Sequence, residues 1–190
     1  MIEQRIDAPA DAVGHAFKEP DAIARWFGWD YDGLEAEIRY IFVEHSRWHG
    51  PHRLEGHDGT VIEIVDRGAH TVVRAVRPEV APGYDPVEEG WRAFFAQLAF
   101  ALERHPGASR RTLRVSGDKA AADVVAALPE GEVRLDGEYV LAVDEGGALA
   151  VVDARDGIAA EQPGPVAVTI SFYGDNGDSD AWAAWWEEIN

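Results

Sequence analysis

Cysteine is absent from the 190 residues, and lysine occurs only as Lys18 and Lys119. Without thiols the chain cannot form a disulfide, a thiol nucleophile or a thiolate metal site. Positive charge is scarce, since 17 basic residues face 35 acidic ones and the net charge is −18. A charge of this sign repels nucleic acid and anionic lipid, so we expect neither nucleic acid nor a membrane as a partner.

Long apolar runs are also missing, so no membrane span is predicted from the sequence. The opening residues, MIEQRIDAPAD, carry charges where a signal peptide needs an apolar block, and we therefore expect a cytoplasmic protein. Hydrophobic residues nevertheless make up 46% of the chain, which is enough for a sizeable core. A length of 190 residues suits one ordinary domain or two small ones.

The clearest helical pattern lies in residues 85–104. Its apolar side chains recur three or four positions apart and predict one buried stripe: Val87, Trp91, Phe94, Phe95, Leu98 and Leu102. Asp85 is expected to cap the first turn, Pro86 suits the first helical position, and Glu88 would complete a capping box. Gly107 is expected to end the helix. Some concave apolar surface must receive this stripe.

The first half of the chain has the patterns of a mixed fold. Residues 2–7 predict a short strand, and residues 10–18 and 22–27 predict two short helices. Between Gly33 and about Val80 the period changes to two, and the resulting strand prediction includes Ile38, Tyr40 and Phe42. With the helix of residues 85–104, this order predicts an α+β fold.

Three stretches of this half resemble a known superfamily: IDAPADAVGHAFKEPDAIARWFG, DGTVIEIVDRG and EEGWRAFFAQLAFALERH. Together they resemble the START-like (helix-grip, SRPBCC) superfamily, and within it the branch related to the activator of Hsp90 ATPase. The resemblance covers about residues 1–107 and implies a curved antiparallel sheet wrapped around a long C-terminal helix. Members of the superfamily bind lipophilic molecules, act as co-chaperones or catalyse cyclisations, so the resemblance alone does not fix a function.

The resemblance also implies a ligand pocket between the inner face of the sheet and the long helix. Its lining would be Tyr40, Phe42, Ile64, Val73, Trp91, Phe95 and Leu98, with Trp29 and Tyr31 at the entrance. Aromatic walls with few polar groups suit a hydrophobic, uncharged ligand. The region between Trp29 and Val80 is short for the usual run of strands, however, and large side chains such as Phe95 could fill the space and leave a packed core.

The second half, residues 108–190, repeats part of this pattern. Strands are predicted at residues 112–115, 132–143, 148–154 and 166–173, with helices at 118–128 and after Asp180. The stretch WRAFFAQL aligns with WAAWWEEI through the shared order Trp, Ala, aromatic, aromatic and aliphatic. We expect a degenerate repeat that lacks the helix of Trp26, although amphipathic aromatic helices can also resemble one another by chance.

Two groups of residues were considered as metal sites. Four histidines fall within thirteen positions, His45, His49, His52 and His57, but their spacing matches no recognised metal signature, so solvated histidines are the favoured interpretation. Asp175, Asn176 and Asp178 lack the spacing of a calcium loop, and a helix-capping linker is favoured. We therefore expect no metal and no cofactor.

No catalytic constellation is recognisable, because the serines lack a nucleophile-elbow frame and the acidic pairs are adjacent in sequence. The favoured function is non-enzymatic binding of an apolar small molecule by a START-like protein. The alternative is a protein-interaction or co-chaperone-like module with a filled core and a protein partner. An aromatic-cyclase-type enzyme is the third hypothesis.

Overall fold

The computed structural model describes residues 1–78, 82–174 and 177–189. These residues form an α+β protein with two antiparallel five-stranded sheets, as the α+β prediction required. The chain divides into unit 1, Met1–Ala108, and unit 2, Ser109–Asn190. This division lies one residue from the boundary predicted after Gly107. The strand region expected to reach Val80 extends beyond the described residues.

The described residues of unit 1 form one sheet and four α-helices. Its elements are β1 (Ile2–Ile6), α1 (Ala10–Ala16), α2 (Pro20–Ile23), α3 (Leu34–Ile38), a π-helical segment (Arg39–Glu44), β2 (Ser46–Trp48), β3 (Arg53–Gly56), β4 (Val61–Asp66), β5 (Thr71–Val76) and α4 (Pro86–Arg104). The strand order is β1-β5-β4-β3-β2, and every neighbouring pair is antiparallel. The first strand therefore lies beside the last.

Unit 2 is built in the same way from fewer elements. They are β6 (Arg110–Ala120), α5 (Ala121–Ala127), β7 (Glu132–Asp136), β8 (Val140–Glu145), β9 (Ala148–Ala154), β10 (Pro163–Tyr173) and α6 (Ser179–Glu188). The strand order is β6-β10-β9-β8-β7, again antiparallel throughout, so the first strand again pairs with the last. The two sheets share one topology.

The units differ most in the chain between the first helix and the second strand. In unit 1 a long connection, residues 17–45, contains α2, α3 and the π-helical segment. In unit 2 a short connection, residues 128–131, joins α5 directly to β7. In both units the terminal helix packs against the first strand, α4 against β1 and α6 against β6.

Helix α4 begins where the sequence predicted. Asp85 Oδ1 accepts hydrogen bonds from the backbone N–H groups of Val87 and Glu88, at 3.0 and 3.2 Å. Arg77 Nη1 donates to Asp85 Oδ2 at 2.6 Å, and this bond together with the backbone donors holds the pKa of Asp85 below its ordinary value. Two details differ from prediction: Val87 is 43% exposed, and Glu88 accepts from Arg92 at 2.8 Å, a contact not expected for a capping-box residue.

The strand predicted through Ile38, Tyr40 and Phe42 is wrong, because this stretch is helical in α3 and the π-helical segment. Ile38 and Phe42 are buried, whereas Tyr40 between them is 45% exposed. The physically meaningful spacing is four, from Leu34 through Ile38 to Phe42, which places these apolar side chains on one side of a helix. Tyr40 and Phe42 therefore do not lie on the inner face of a sheet.

Two predicted boundaries in unit 2 are also wrong. The single strand expected at residues 132–143 is a hairpin, β7 and β8, turned at Gly137, whose N–H donates to the carbonyl of Val140 at 3.0 Å. Strand β6 continues to Ala120, so residues 118–120 are not helical and α5 begins only at Ala121. The β6 extension arises because Pro163 of β10 reaches far enough to pair with Ala120.

The core of unit 2 lies between its sheet and its two helices. Alternate residues of β10, including Val168 and Ile170, pack with Val124 of α5 and with Trp182 and Trp186 of α6. Burial of these side chains is the main stabilising contribution to the fold. Within the described part of the chain, no helix has both the length and the apolar character needed to cross a lipid bilayer.

Candidate functional site

The pocket residues predicted in unit 1 fall into a buried and an exposed group. The buried ones are Phe42, Ile64, Val73, Trp91, Phe95 and Leu98. Trp29 is half-buried, whereas Tyr31 and Tyr40 are exposed. The Trp29 and Tyr31 rings are neighbours, with centroids 6.0 Å apart. The Tyr31 hydroxyl donates to Glu37 at 2.7 Å, and this bond raises the pKa of Tyr31 to about 12.

The interior of unit 1 contains aromatic rings where a pocket was expected. The Phe42 ring contacts Phe27 at a centroid distance of 5.0 Å and Trp91 at 6.3 Å. Trp91 in turn contacts Phe95 at 5.5 Å, while Phe27 contacts Phe94 at 4.5 Å. These edge-on and tilted contacts are the favourable arrangements for aromatic pairs. The predicted pocket residues Phe42, Trp91 and Phe95 therefore pack against one another and against neighbouring rings.

Unit 2 instead contains an open groove of about 330 Å³. It lies between the start of α6, the turn that joins β8 to β9, and the chain just after α5. Its lining residues are Pro129, Gly146, Gly147, Ala148, Phe172, Gly177, Asp178, Ala181, Trp182 and Trp185. Most of this lining is apolar, and two of its side chains are tryptophans. We take this groove as the candidate site.

The two tryptophans of the groove are held in place by α6. Their positions, 182 and 185, are nearly one helical turn apart, and their rings meet edge to face with centroids 5.1 Å apart. Trp182 is buried against the core of unit 2, whereas Trp185 is half-buried. The indole N–H of Trp185 donates to the backbone carbonyl of Ala127 at 2.7 Å, which ties α6 to the C-terminal end of α5.

Glycines keep one side of the groove free of side chains. Gly146 and Gly147 have φ angles of 59° and 101°, the positive values that a two-residue type I′ hairpin turn requires. Gly177 has a φ of 104°, and a side chain there would clash with the ring of Phe172. The backbone at these positions therefore forms part of the groove surface directly.

The electrostatics of the groove disfavour an anionic ligand. Among the described lining residues Asp178 alone carries a charge, and its Oδ1 accepts from the N–H groups of Asp180 and Ala181, both at 3.0 Å. The carboxylate thus caps α6 and interacts favourably with the helix dipole. After Gly107 the chain carries 6 basic and 16 acidic residues, a net charge of −10, which disfavours anions.

The four clustered histidines contact other side chains, and the His57 ring lies near those of His45 and Tyr40, at centroid distances of 5.8 and 5.4 Å. His49 pairs with Glu55 at 2.8 Å, and His52 lies 3.6 Å from Asp11. The His45 ring packs against Tyr40 at 4.0 Å. Within the described residues no three histidine or carboxylate side chains are placed to hold a metal ion. The cap of α6 is Asp178 of the predicted capping linker, two residues before Asp180, from which the helix was expected to begin. Residues 175 and 176 lie outside the described residues.

A comparison of the chain with models of protein families, with curated proteins and with solved structures gave no match. The START-like relationship stays a prediction.

The groove was not predicted from the sequence, although the sequence contained a signal for it. Trp182 and Trp186 are four positions apart and share the core-facing side of α6, so Trp185 must lie beside that face. A helix of ten residues with three tryptophans has more aromatic surface than one core-facing stripe can bury. The adjacent pair Gly146-Gly147 predicts a tight hairpin turn, but its position opposite Trp185 depends on the tertiary fold.

Proposed function

We propose that this protein binds an uncharged, apolar small molecule in the groove of unit 2 and catalyses no reaction on it. The observation that carries the proposal is the groove itself, an open apolar concavity walled by Trp182, Trp185 and Phe172. Its volume of about 330 Å³ is at the lower end of the range for small-molecule sites. Its charged group, Asp178, caps a helix and is a poor candidate for proton transfer.

The START-like resemblance is part of this proposal. In both units the first strand pairs with the last, and a terminal helix follows the sheet and packs against the first strand. This arrangement is compatible with the helix-grip fold that the resemblance implies for residues 1–107. It supports a binding role, because members of that superfamily hold apolar ligands between the sheet and the terminal helix.

A second candidate function is a protein-interaction module. The packed aromatic interior of unit 1 favours it, since Phe27, Phe42 and Trp91 occupy the space that a ligand would need. The adjoining π-helical segment also exposes Tyr40 and Val43, which a protein partner could cover. We rank this function second because the apolar groove of unit 2 has the size and lining of a ligand site.

Titration of ¹⁵N-labelled protein with Nile red, an uncharged apolar dye, tests the proposed function. The indole N–H signal of Trp185 reports on the groove, because Trp185 forms one of its walls. We expect saturable binding of one dye molecule, with the largest shift at the Trp185 indole. The signal is assigned by its loss in Trp185→Phe.

Trp185→Ala is expected to weaken dye binding at least tenfold, as measured by the fluorescence of Nile red, because it removes one wall of the groove. The matched control is Trp48→Ala, which removes a half-buried tryptophan from β2 in unit 1. Equal weakening by both variants, or absence of saturable binding to the wild type, would overturn the proposal. The interaction-module function would then become the leading hypothesis.

A further inference from the structure

The terminal helices of the two units present the same aromatic surface. Trp91 of α4 and Trp182 of α6 correspond, and they are 9% and 8% exposed. Phe94 and Trp185 correspond, and both are half-buried. The ring pairs also match: Trp91 and Phe94 meet at 6.0 Å and 85°, and Trp182 and Trp185 meet at 5.1 Å and 75°.

In unit 1 this surface is covered by the protein's own aromatic side chains. Phe27 lies against Phe94 with centroids 4.5 Å apart, and Phe42 lies edge-on to Trp91 at 6.3 Å. Phe27 and Phe42 contact each other at 5.0 Å and both are buried. Both belong to the long connection, residues 17–45.

In unit 2 the corresponding stretch is the short connection, residues 128–131, whose sequence is Leu-Pro-Glu-Gly. It contributes Pro129 to the groove and contains no aromatic residue. The surface formed by Trp182 and Trp185 therefore borders the groove, whereas the matching surface of unit 1 is in contact with two rings. The groove corresponds to the space that Phe27 and Phe42 fill in unit 1.

We infer that the groove of unit 2 selects planar aromatic molecules over saturated ones of the same size. Such a ligand takes the place that Phe27 and Phe42 hold in unit 1, with its ring packed edge-on or tilted against Trp185 and Trp182. The rings of Phe27 and Phe42 are uncharged. The groove has no basic group among its described lining residues, so it offers no partner for an anionic substituent on the ligand. This inference rests on the proposed function and narrows its ligand class.

The aromatic preference has a physical basis in ring electrostatics. Aromatic pairs in edge-on geometry gain interaction energy beyond the burial of their surface, and saturated rings gain only the burial. Because the ligand meets two tryptophans, we expect about a tenfold preference for the aromatic ring. Trp185 is the main determinant, since it is the more exposed of the two tryptophans.

The test compares 2-naphthol with decahydro-2-naphthol, which share one carbon skeleton and one hydroxyl group. Each is titrated into ¹⁵N,¹³C-labelled full-length protein, and affinity is read from the methyl signals of Ala148 and Ala181, which remain in the variants at position 185. We expect 2-naphthol to bind about tenfold more tightly. We also expect it to produce ring-current shifts at the Ala181 and Ala148 methyl groups, which line the groove.

Two variants at position 185 separate aromatic recognition from apolar burial. Trp185→Phe should retain most of the preference for 2-naphthol, whereas Trp185→Leu should bring the two affinities within about threefold of each other. The control is Trp48→Leu in unit 1, which should leave the preference unchanged. The comparison on the wild-type protein stands even if a variant at position 185 fails to fold.

The titrations distinguish failure of the aromatic preference from failure of the proposed function. Saturable binding of both molecules with equal affinity, or tighter binding of the saturated one, contradicts the aromatic preference and leaves the proposed function standing. Binding of neither molecule contradicts both. Binding of 2-naphthol that shifts signals of Phe27 and Phe42 rather than those of Trp185 would place the site in unit 1, and the inference would be wrong.

Discussion

Unit 1 and unit 2 share one strand order and end in helices with the same aromatic pattern, yet α4 closes a filled interior and α6 borders an open groove. The difference lies outside the repeated helix. Unit 1 has the long connection, residues 17–45, whose rings cover Trp91 and Phe94, while unit 2 has only residues 128–131 at that point.

The comparison shows that an aromatic helix pattern does not by itself predict a binding site. The same set of side chains forms core in one unit and a groove wall in the other, and the connecting segment decides between them. The following predictions test this explanation by changing the helix surface, the rings that cover it, the helix caps and the turn beside the groove.

The largest effect is expected for Trp91→Ala in unit 1. Trp91 is buried and contacts Phe42, Phe94 and Phe95, so its removal leaves a cavity and should lower the free energy of unfolding by about 3–5 kcal/mol. Trp185→Ala should cost about 1 kcal/mol, because this side chain is half-buried. Urea denaturation measures both, and equal losses would contradict the distinction between filled and open surfaces.

Phe27→Ala should uncover part of the aromatic surface of α4 and make it resemble the open surface of α6 in unit 2. Removing this buried ring is expected to cost about 3 kcal/mol and to leave an apolar cavity beside Phe94. Because ligand binding to the folded state stabilises it, saturating benzene should recover part of the loss. Thermal unfolding with and without benzene measures the recovery. A matched Val72→Ala variant, at a half-buried position of β5, should show none.

The helix caps differ in their ionic contacts. Asp85→Asn keeps a good capping residue but leaves Arg77, which is largely buried, without its carboxylate, and should cost about 2 kcal/mol at neutral pH. Asp178→Asn should change the free energy of unfolding by less than about 0.5 kcal/mol, because the two hydrogen bonds to Asp178 Oδ1 are those of a simple cap, which asparagine can also form. Denaturation at pH 7 checks both values.

The contribution of Asp85 should also depend on pH. Its folded pKa is lowered by Arg77 and by backbone donors, so the stability it adds is present above the unfolded pKa and is lost as the pH falls through the folded value. The difference in stability between the wild type and Asp85→Asn should therefore narrow in acid. Urea denaturation of both proteins over a range of acidic pH measures this. A stability difference between them that does not change with pH would show that Arg77 does not stabilise the ionised carboxylate of Asp85.

The smallest effect on stability is expected for Gly146→Asn. Asparagine tolerates the positive φ of a type I′ turn, so the free energy of unfolding of the variant should stay within about 0.5 kcal/mol of the wild-type value. The new side chain stands at the rim of the groove and should weaken 2-naphthol binding a few-fold. Gly50→Asn, at a positive φ in unit 1, is the matched control and should leave binding unchanged.

The parts of the fold that depend on local signals could be predicted from the sequence. Helix α4 begins after Asp85 because the capping carboxylate and Pro86 act within one turn. The stretch from Leu34 to Glu44 was misassigned because a short apolar run fits a period of two as well as a spacing of four. The exposure of Tyr40, between the buried Ile38 and Phe42, distinguishes the two patterns.

The groove could not be predicted, because it depends on which distant residues meet. Phe27 and Phe42 cover α4 across a long separation in sequence, and no local pattern reports that contact. Strand β9 also lacks the alternation of apolar and polar residues that marks a half-buried strand, since the adjacent residues Leu149 and Ala150 are both fully buried. Candidate site residues were therefore assigned to unit 1, where the aromatic pattern is longest, and not to unit 2.

The pairing of the first strand with the last sets an order of assembly within each unit. Ile2 pairs with Ala75, and Arg110 pairs with Tyr173, so these contacts close long loops, whereas β8 and β9 meet across two glycines. Closing long loops costs entropy before the contacts form, so the hairpins of the β2–β5 and β7–β10 meanders are expected to form first. Strands β1 and β6 then dock onto a sheet already made, and α4 and α6, which pack on them, complete the units last.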